Sequence, residues 1–114
     1  MGKVLVVEDE PASRKALVSL LKLNGIDALW ATTLHAALEQ LRHGPRSILL
    51  DLMLPDGSGI AIVDHIRRNR LPIRIAVTTG AGNWQALLEN SPHRPDEVFV
   101  KPLDFDRIVA WLTA

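Results

Sequence analysis

The polar side chains that could do chemistry in this sequence stand where apolar runs end. Five of them come at or just after the end of such a run: Glu8, Asp9, Asp51, Thr79 and Lys101. An ionised carboxylate such as that of Asp51 is costly beside an apolar run unless it has a partner. Carboxylates that lie close together also raise each other's pKa unless a cation neutralises them. If these acids meet in the fold, the sequence therefore predicts a cation site.

The available ligand types favour a hard cation. The chain has no cysteine, and its four histidines show no spacing typical of a metal site. Carboxylate oxygens suit Mg²⁺, which usually keeps several waters and also binds phosphate oxygens. Together with the hydroxyl of Thr79 and the ammonium of Lys101, such a site could neutralise a phosphoryl group on a carboxylate. We therefore predict in-line phosphoryl transfer to Asp51, in which the protein positions groups and stabilises charge.

Short apolar runs and amphipathic segments alternate along the chain. The runs predict five strands: Lys3–Val7, Ala28–Ala31, Ser47–Leu52, Ile73–Thr78 and Val98–Val100. Helical spacing and end signals predict five helices, which run from Pro11 to Asn24, from near Thr33 to Gly44, over Ser58–Asn69, around Asn83–Asn90, and from about Asp104. This alternation indicates an α/β domain with a doubly wound, five-stranded parallel sheet in the order 2-1-3-4-5. In that order the first and third strands are neighbours, so Glu8, Asp9 and Asp51 should converge beyond their carboxyl ends.

Length and composition limit the class of protein. The 114 residues are 47% hydrophobic and 23% charged, which fits one globular domain over residues 1–114. Thirteen Lys and Arg balance thirteen Asp and Glu, so we expect neither nucleic acid nor a membrane surface as a direct partner. No apolar run is long enough to span a membrane and the first residues are unlike a signal peptide, so we expect a cytoplasmic protein.

Several side chains outside the candidate site have predicted surroundings. The last helix aligns four apolar residues on one face, which we expect to pack inward: Phe105, Ile108, Val109 and Leu112. Trp111 lies off this face and should sit at a partly exposed edge, whereas the spacing of Trp84 predicts packing. Asp56 belongs to a loop by composition and should face solvent.

Four segments of the chain resemble the receiver domains of response regulators in two-component signalling. They are Val6–Glu10, Leu50–Gly59, Thr79-Gly80 and Lys101-Pro102. The run that follows Asp51 is the most specific of them, and the resemblance extends in the right order over essentially all 114 residues. It implies a flavodoxin-like receiver fold in which Asp51 accepts a phosphoryl group from a histidine of a kinase or phosphotransfer protein.

The resemblance also implies roles for the other site residues. Asp9 would bind Mg²⁺ directly and Glu8 through water, with Asp51 and the backbone carbonyl of Met53 as further ligands. Thr79 and Lys101 would contact the phosphoryl oxygens. Thr79, which is followed by a small residue, fits the family better than Thr78. The Lys101–Pro102 peptide would be cis, a geometry found essentially only in X-Pro bonds.

Two positions depart from the family pattern. The family often has an aromatic residue three positions before the lysine, where this chain has Val98, and Phe99 comes one position later. A shift of one residue in a strand points the ring to the opposite face of the sheet. The first acid of the pair is often aspartate in the family, and here it is Glu8.

The predicted role is a phosphorylation-dependent switch that does not act as an enzyme on metabolites. Its output partner, or a second copy, should bind the surface of the fourth helix, fifth strand and fifth helix. An alternative is a pseudo-receiver that binds proteins without phosphotransfer, although the complete set of site residues argues against it. A haloacid-dehalogenase-like phosphatase is disfavoured because Met53 stands where that family has a second Asp. Whether the domain stands alone or belongs to a longer regulator or hybrid kinase stays open.

Overall fold

The computed structural model describes residues 2–114 and contains one five-stranded parallel sheet and a two-stranded hairpin. The sheet strands are β1 (Val4–Val7), β2 (Ala28–Ala31), β3 (Ser47–Asp51), β6 (Arg74–Thr79) and β7 (Glu97–Val100). The antiparallel hairpin consists of β4 (Met53–Leu54) and β5 (Gly57–Ser58). The sheet order is β2-β1-β3-β6-β7. Counting sheet strands alone, this is 2-1-3-4-5, so the predicted doubly wound α/β fold is confirmed.

Five helices cover the two faces of the sheet. They are α1 (Pro11–Leu23), α2 (Leu34–Gln40), α3 (Ile60–Arg68), α4 (Trp84–Glu89) and α5 (Phe105–Thr113). A 3-10 turn, Leu41–His43, extends α2 and ends at Gly44, which has a left-handed backbone conformation. Among residues 2–114, no helix has the length and apolar character needed to cross a membrane.

Residues of the central strands contribute to three buried clusters within residues 2–114, and the smallest, Leu52, Val77 and Leu88, lies under α4. One larger core lies under α2 and α3, and its strand residues include Leu5, Val7, Ile48, Leu50 and Ile75. The other larger core lies under α1 and α5, and its strand residues include Val4, Val6, Leu49, Ala76 and Phe99. Burial on both faces explains why β1 and β3 read as continuous apolar runs.

The helix starts are held by side chains that accept backbone hydrogen bonds. Glu10 accepts from the N–H groups of Ala12 and Ser13 and thereby caps α1. Asp56 is exposed, as predicted, and its carboxylate also accepts from the N–H groups of Leu34 at 2.7 Å and His35 at 3.0 Å. These two bonds lower the pKa of Asp56. The loop after β3 is thereby joined to the start of α2, a contact that the sequence analysis did not anticipate.

The predicted inward face of α5 is confirmed at two of its four residues. Ile108 and Leu112 are buried, whereas Val109 is half-buried and Phe105 is 39% exposed. Phe105 is the first residue of α5, where the helix lies beside the Lys101–Leu103 loop and has not yet reached the sheet, so its ring lines an open depression. Trp111 is half-buried, as predicted, and meets Phe99 edge to face with the ring centroids 6.4 Å apart.

The two ends of α4 are held very differently. At the C-terminal end, the Arg94 guanidinium donates to the carbonyl oxygens of Leu88 and Ser91. The next residues are bound to α3, because the Asp64 carboxylate accepts from the Ser91 hydroxyl at 2.5 Å and contacts the His93 ring at 3.1 Å. At the N-terminal end, Asn83 makes no capping bond through its side chain within the part of the chain that the structure describes.

Candidate functional site

The acids of the predicted site meet at the carboxyl edge of the sheet. β1 and β3 are paired with Val7 beside Leu50, so the residues that follow, Glu8 and Asp51, are neighbours. One carboxylate oxygen from each of Glu8, Asp9 and Asp51 lies within 4.8 Å of the others. Glu8 and Asp51 are buried, whereas Asp9 is exposed. The structure therefore brings together three carboxylates, two of them buried, at the end of two adjacent strands.

Lys101 joins this cluster from the end of β7. Its Nζ donates to Glu8 Oε1 at 2.6 Å and to Asp51 Oδ2 at 3.0 Å. The other oxygen of the acceptor carboxylate, Asp51 Oδ1, accepts from the backbone N–H of Met53 at 3.1 Å. The Lys101–Pro102 peptide is cis, as predicted. The Lys101 ammonium thus contacts the carboxylate of Glu8, which follows β1, and that of Asp51, which ends β3.

Thr79 ends β6 and is buried beside the site. The register of β3 and β6 pairs Asp51 with Thr78, so Thr79 lies one residue further along the strand. Its Oγ1 accepts from the N–H of Ala81 at 3.1 Å, and its carbonyl oxygen accepts from the N–H of Lys101 at 2.7 Å. The described hydrogen bonds therefore link Thr79 to the backbone of Lys101, while they do not include a bond between its hydroxyl and Asp51.

Two groups of the cluster, Glu8 and Lys101, have shifted pKa values. Burial raises the pKa of Glu8 to about 7, and the hydrogen bond and charge of Asp51 add to this effect against the opposing influence of Lys101. Burial alone would lower the pKa of Lys101, but its bonds to the two carboxylates raise it instead. Glu8 Oε2 is buried and has no hydrogen-bond partner among the described residues.

These features fit a hard divalent cation. The cluster holds three carboxylates but one ammonium, which contacts two of them, so acidic groups are in excess. A buried carboxylate oxygen without a donor is costly, and a cation would satisfy it. Oxygen donors at this spacing suit Mg²⁺. The backbone of Met53 also lies at the site, because its N–H donates to Asp51. The predicted ligand, however, is the carbonyl oxygen of Met53, and its role stays a prediction.

Gly59 is a site residue that the sequence analysis missed. A Cβ at this position would lie 2.3 Å from the carbonyl oxygen of Asp51 and 3.1 Å from the Cα of Leu52. The Gly59 N–H also donates to the carbonyl oxygen of Leu52 at 2.8 Å. Only glycine lets the chain at the start of α3 pass this close to the acceptor strand. The Gly57-Ser58-Gly59 run was the available signal, but loop composition alone does not show which glycine is needed.

Comparisons with known proteins agree with this arrangement. Residues 4–113 match the family model described as the response regulator receiver domain. The phosphate regulon transcriptional regulatory protein PhoB of Escherichia coli (strain K12) is 32% identical over 115 residues, which cover 98% of this chain and 50% of PhoB. The two-component response regulator PhoP of Pseudomonas aeruginosa has the same identity and coverage. The chain therefore spans about half the length of these relatives.

Solved receiver structures share the fold. The signal receiver domain of a putative Luxo repressor protein from Vibrio parahaemolyticus has a TM-score of 0.85 at 27% identity, with 98% of this chain and 87% of that chain covered. The response regulator TrrA from Thermotoga maritima, solved in complex with Mg²⁺ and BeF, has a TM-score of 0.86 at 27% identity, with 99% and 97% covered. The family-model match, the sheet order and the cluster of acids agree. The chain therefore belongs to the response regulator receiver domain family of two-component systems.

Proposed function

We propose that residues 1–114 form a phosphoacceptor domain that takes a phosphoryl group onto Asp51. The donor would be a phosphohistidine of a histidine kinase or a histidine phosphotransfer protein, and the reaction would depend on Mg²⁺. The observation that carries the proposal is the position of Lys101, whose ammonium contacts both Asp51 and Glu8. Beside it lies a Glu8 carboxylate oxygen that has no hydrogen-bond partner in the described part of the chain. TrrA, a relative with the same fold, was solved with Mg²⁺ and a phosphoryl-like fluoride, which supports the same chemistry here.

Four residues would hold the cation. Glu8, Asp9 and Asp51 supply carboxylate oxygens within 4.8 Å of one another, and the backbone carbonyl of Met53 would complete the protein ligands. When bound, Mg²⁺ would neutralise these carboxylates and draw negative charge from the phosphoryl oxygens. The exposed Asp9 leaves the cluster open on one side, where water and a phosphoryl group can enter.

The transfer step follows from the position of Asp51. One of its carboxylate oxygens attacks the phosphorus atom, and a P–O bond forms as the P–N bond to the donor imidazole breaks. The electron pair of that bond stays on the imidazole nitrogen. Lys101 exchanges its contact with Asp51 for a phosphoryl oxygen, and the Thr79 hydroxyl donates to another while it still accepts from Ala81. The site positions groups and stabilises charge, which is sufficient for phosphoryl transfer.

The surface formed by α4, β7 and α5 would bind the output partner when Asp51 is phosphorylated. Contacts of Thr79 and Lys101 that exist only in the phosphorylated form would shift the population towards an active conformation. Lys101 adjoins β7, and Thr79 precedes α4, so both residues lead into this surface. An output partner or a second copy would bind there, without direct contact to nucleic acid or membrane. The domain would promote its own phosphorylation and hydrolysis and would not convert metabolites.

Intact-mass measurement tests the proposal directly. The protein is incubated with Mg²⁺ and acetyl phosphate, alongside Asp51→Asn, an EDTA control and the matched variant Asp106→Asn in the exposed first turn of α5. We expect one added phosphoryl group in the wild type and in Asp106→Asn. We expect none in Asp51→Asn or in EDTA.

A fast-hydrolysing phosphoaspartate could escape detection by mass, so a stable mimic provides the second measurement. Beryllofluoride with Mg²⁺ should change the fluorescence of Trp84, which is half-buried at the start of α4. Asp51→Asn should abolish this change. If neither an adduct nor beryllofluoride binding is found in the folded protein, the phosphotransfer proposal is wrong, and a phosphorylation-independent interaction module becomes the better description.

A further inference from the structure

The loop between β1 and α1, residues 8–10, carries two of the proposed cation ligands and is fixed at both ends. At its start, the N–H of Glu8 donates to the carbonyl oxygen of Ala31 at 3.1 Å, which joins the loop to β2. At its end, the Glu10 carboxylate accepts from two N–H groups in the first turn of α1. Asp9 lies between these two residues and is exposed. The direction of the Asp9 carboxylate therefore depends on what holds the backbone of this loop.

The side chain of Arg14 reaches back from α1 to the same loop. Its Nη1 donates to the carbonyl oxygens of Glu8 and Asp9, at 3.5 Å in each case. Within residues 2–114, no other described hydrogen bond reaches these two carbonyl oxygens. Both distances are long for hydrogen bonds, so the positive charge of the guanidinium supplies much of the attraction. Arg14 thus joins the first turn of α1 to the backbone on both sides of the Glu8–Asp9 peptide bond.

The indole of Trp30 holds the Arg14 side chain in place. The guanidinium carbon lies 4.9 Å from the centroid of the Trp30 ring, within the range of a cation–π contact. Trp30 belongs to β2, and the next residue of that strand, Ala31, accepts the N–H of Glu8. The strand β2 is therefore joined to the loop twice, directly at Glu8 and through the stacked guanidinium at the carbonyl of Asp9.

We infer that Arg14 is a positioning residue for the cation site, because it holds the backbone that directs the carboxylates of Glu8 and Asp9. The inference rests on the Mg²⁺ site of the proposed function but does not require phosphotransfer. One oxygen from each of Glu8, Asp9 and Asp51 lies within 4.8 Å of the others, an arrangement that charge repulsion opposes when no cation is bound. A backbone held from outside the cluster keeps this arrangement available, so less ordering remains when the cation binds.

The sign of the expected effect separates positioning from simple electrostatics. Arg14 is positively charged, so its removal would by itself favour a cation at the nearby acids. Loss of positioning acts in the opposite direction, since the loop must then be ordered as the cation binds. We expect Arg14→Ala to weaken Mg²⁺ binding about three- to tenfold. This is a smaller loss than is typical for a group that bonds the side chain of a metal ligand, because Arg14 holds the backbone instead.

Titration with MgCl₂ at constant ionic strength tests the inference without a phosphoryl donor, with the dissociation constant taken from amide shifts in two-dimensional NMR. Arg14→Ala and Arg14→Lys should both bind Mg²⁺ more weakly than the wild type. Lysine keeps the charge, but it has no planar group that can stack on the indole while it bonds two carbonyl oxygens. Lys15→Ala is the matched control, because Lys15 is the exposed neighbour of Arg14 and carries the same charge. Its affinity should stay within about twofold of the wild type.

Two further measurements test the route from Trp30 to the loop. Trp30→Ala should weaken Mg²⁺ binding by a smaller factor than Arg14→Ala. The double variant should bind as well as Arg14→Ala alone, because the ring acts through the guanidinium. In EDTA, the backbone NMR order parameters of Asp9 and Glu10 should fall in Arg14→Ala and stay unchanged in Lys15→Ala. Urea unfolding of each variant establishes that the fold is kept.

The inference is wrong if Arg14→Ala binds Mg²⁺ as tightly as the wild type or more tightly, or if Lys15→Ala weakens binding as much as Arg14→Ala does. Either result, obtained with a wild type that binds Mg²⁺, would leave the proposed phosphotransfer intact. A wild type that does not bind Mg²⁺ would overturn both the proposed cation site and the role of Arg14. Additive losses in the double variant would contradict the link through Trp30.

Discussion

Replacing Glu8 by glutamine should remove one component of the pH dependence of folding when no divalent cation is bound. In the folded protein the pKa of Glu8 is raised from 4.5 to about 7, chiefly by burial. Between these two values the folded protein holds a proton that the unfolded chain has lost. The free energy of unfolding therefore falls as the pH rises through this window and levels off above it. Glutamine does not titrate, so the variant should lack this fall.

The size of the effect follows from the gap between the two pKa values. A difference from 4.5 to about 7 corresponds to at most about 3 kcal/mol of stability. Glu8 is 1% exposed, so solvent screens this effect little, but its ion pair with Lys101 offsets part of the burial cost. We therefore compare the free energy of unfolding of the wild type with that of Glu8→Gln. We expect the wild-type value to fall by about 1–3 kcal/mol relative to the variant between about pH 5 and about pH 8.

Urea unfolding in EDTA at several pH values measures this difference. The subtraction cancels the other titrating groups, and Glu89→Gln, which changes an exposed glutamate on α4, serves as the control and should follow the wild type. The reasoning would be refuted by a wild type that gains stability relative to Glu8→Gln as the pH rises. A difference that does not vary with pH would contradict it equally.

Three other substitutions probe features of the fold. Gly59→Ala should cost more than about 2 kcal/mol in urea unfolding, because its Cβ would lie 2.3 Å from the carbonyl oxygen of Asp51; wild-type stability would show that the loop relaxes freely. Asp56→Ala should lower the melting temperature by removing the acceptor for two N–H groups of α2, and an unchanged temperature would mean that water replaces it. Phe99→Ala should cost about 3–5 kcal/mol and alter Trp111 fluorescence, whereas a loss under about 1 kcal/mol would contradict the core assignment.

The strands and the convergence of the acids could be predicted because both follow from rules that act locally or by topology. A strand buried on both faces must be apolar along its length, which made β1 and β3 recognisable. Parallel strands share one carboxyl edge, so the positions of Glu8 and Asp51 in sequence were enough to bring them together. Phe99 was likewise expected on the face opposite to that of Val98, and it lies in the core under α1 and α5.

Other features depend on contacts that no local pattern records. Helical periodicity grouped Phe105 with the inward residues, but it does not show where α5 first meets the sheet. The capping of α2 by Asp56 joins residues 21 and 22 positions apart, and loop composition gives no sign of the partner. The orphan oxygen of Glu8 follows from the side-chain geometry around Lys101, which only the folded arrangement determines.

In the described part of the chain, the helix α4 is held by side-chain hydrogen bonds at its C-terminal end only. Arg94 and Asp64 hold its C-terminal end against α3, while the other end follows Gly82 and has no side-chain cap at Asn83 within residues 2–114. Backbone amides should exchange with solvent first at this free end, which is the end that adjoins Thr79. If the proposed switch operates, we expect a small displacement at the candidate site to turn the helix about its fixed end and to move Trp84, the first helical residue, most.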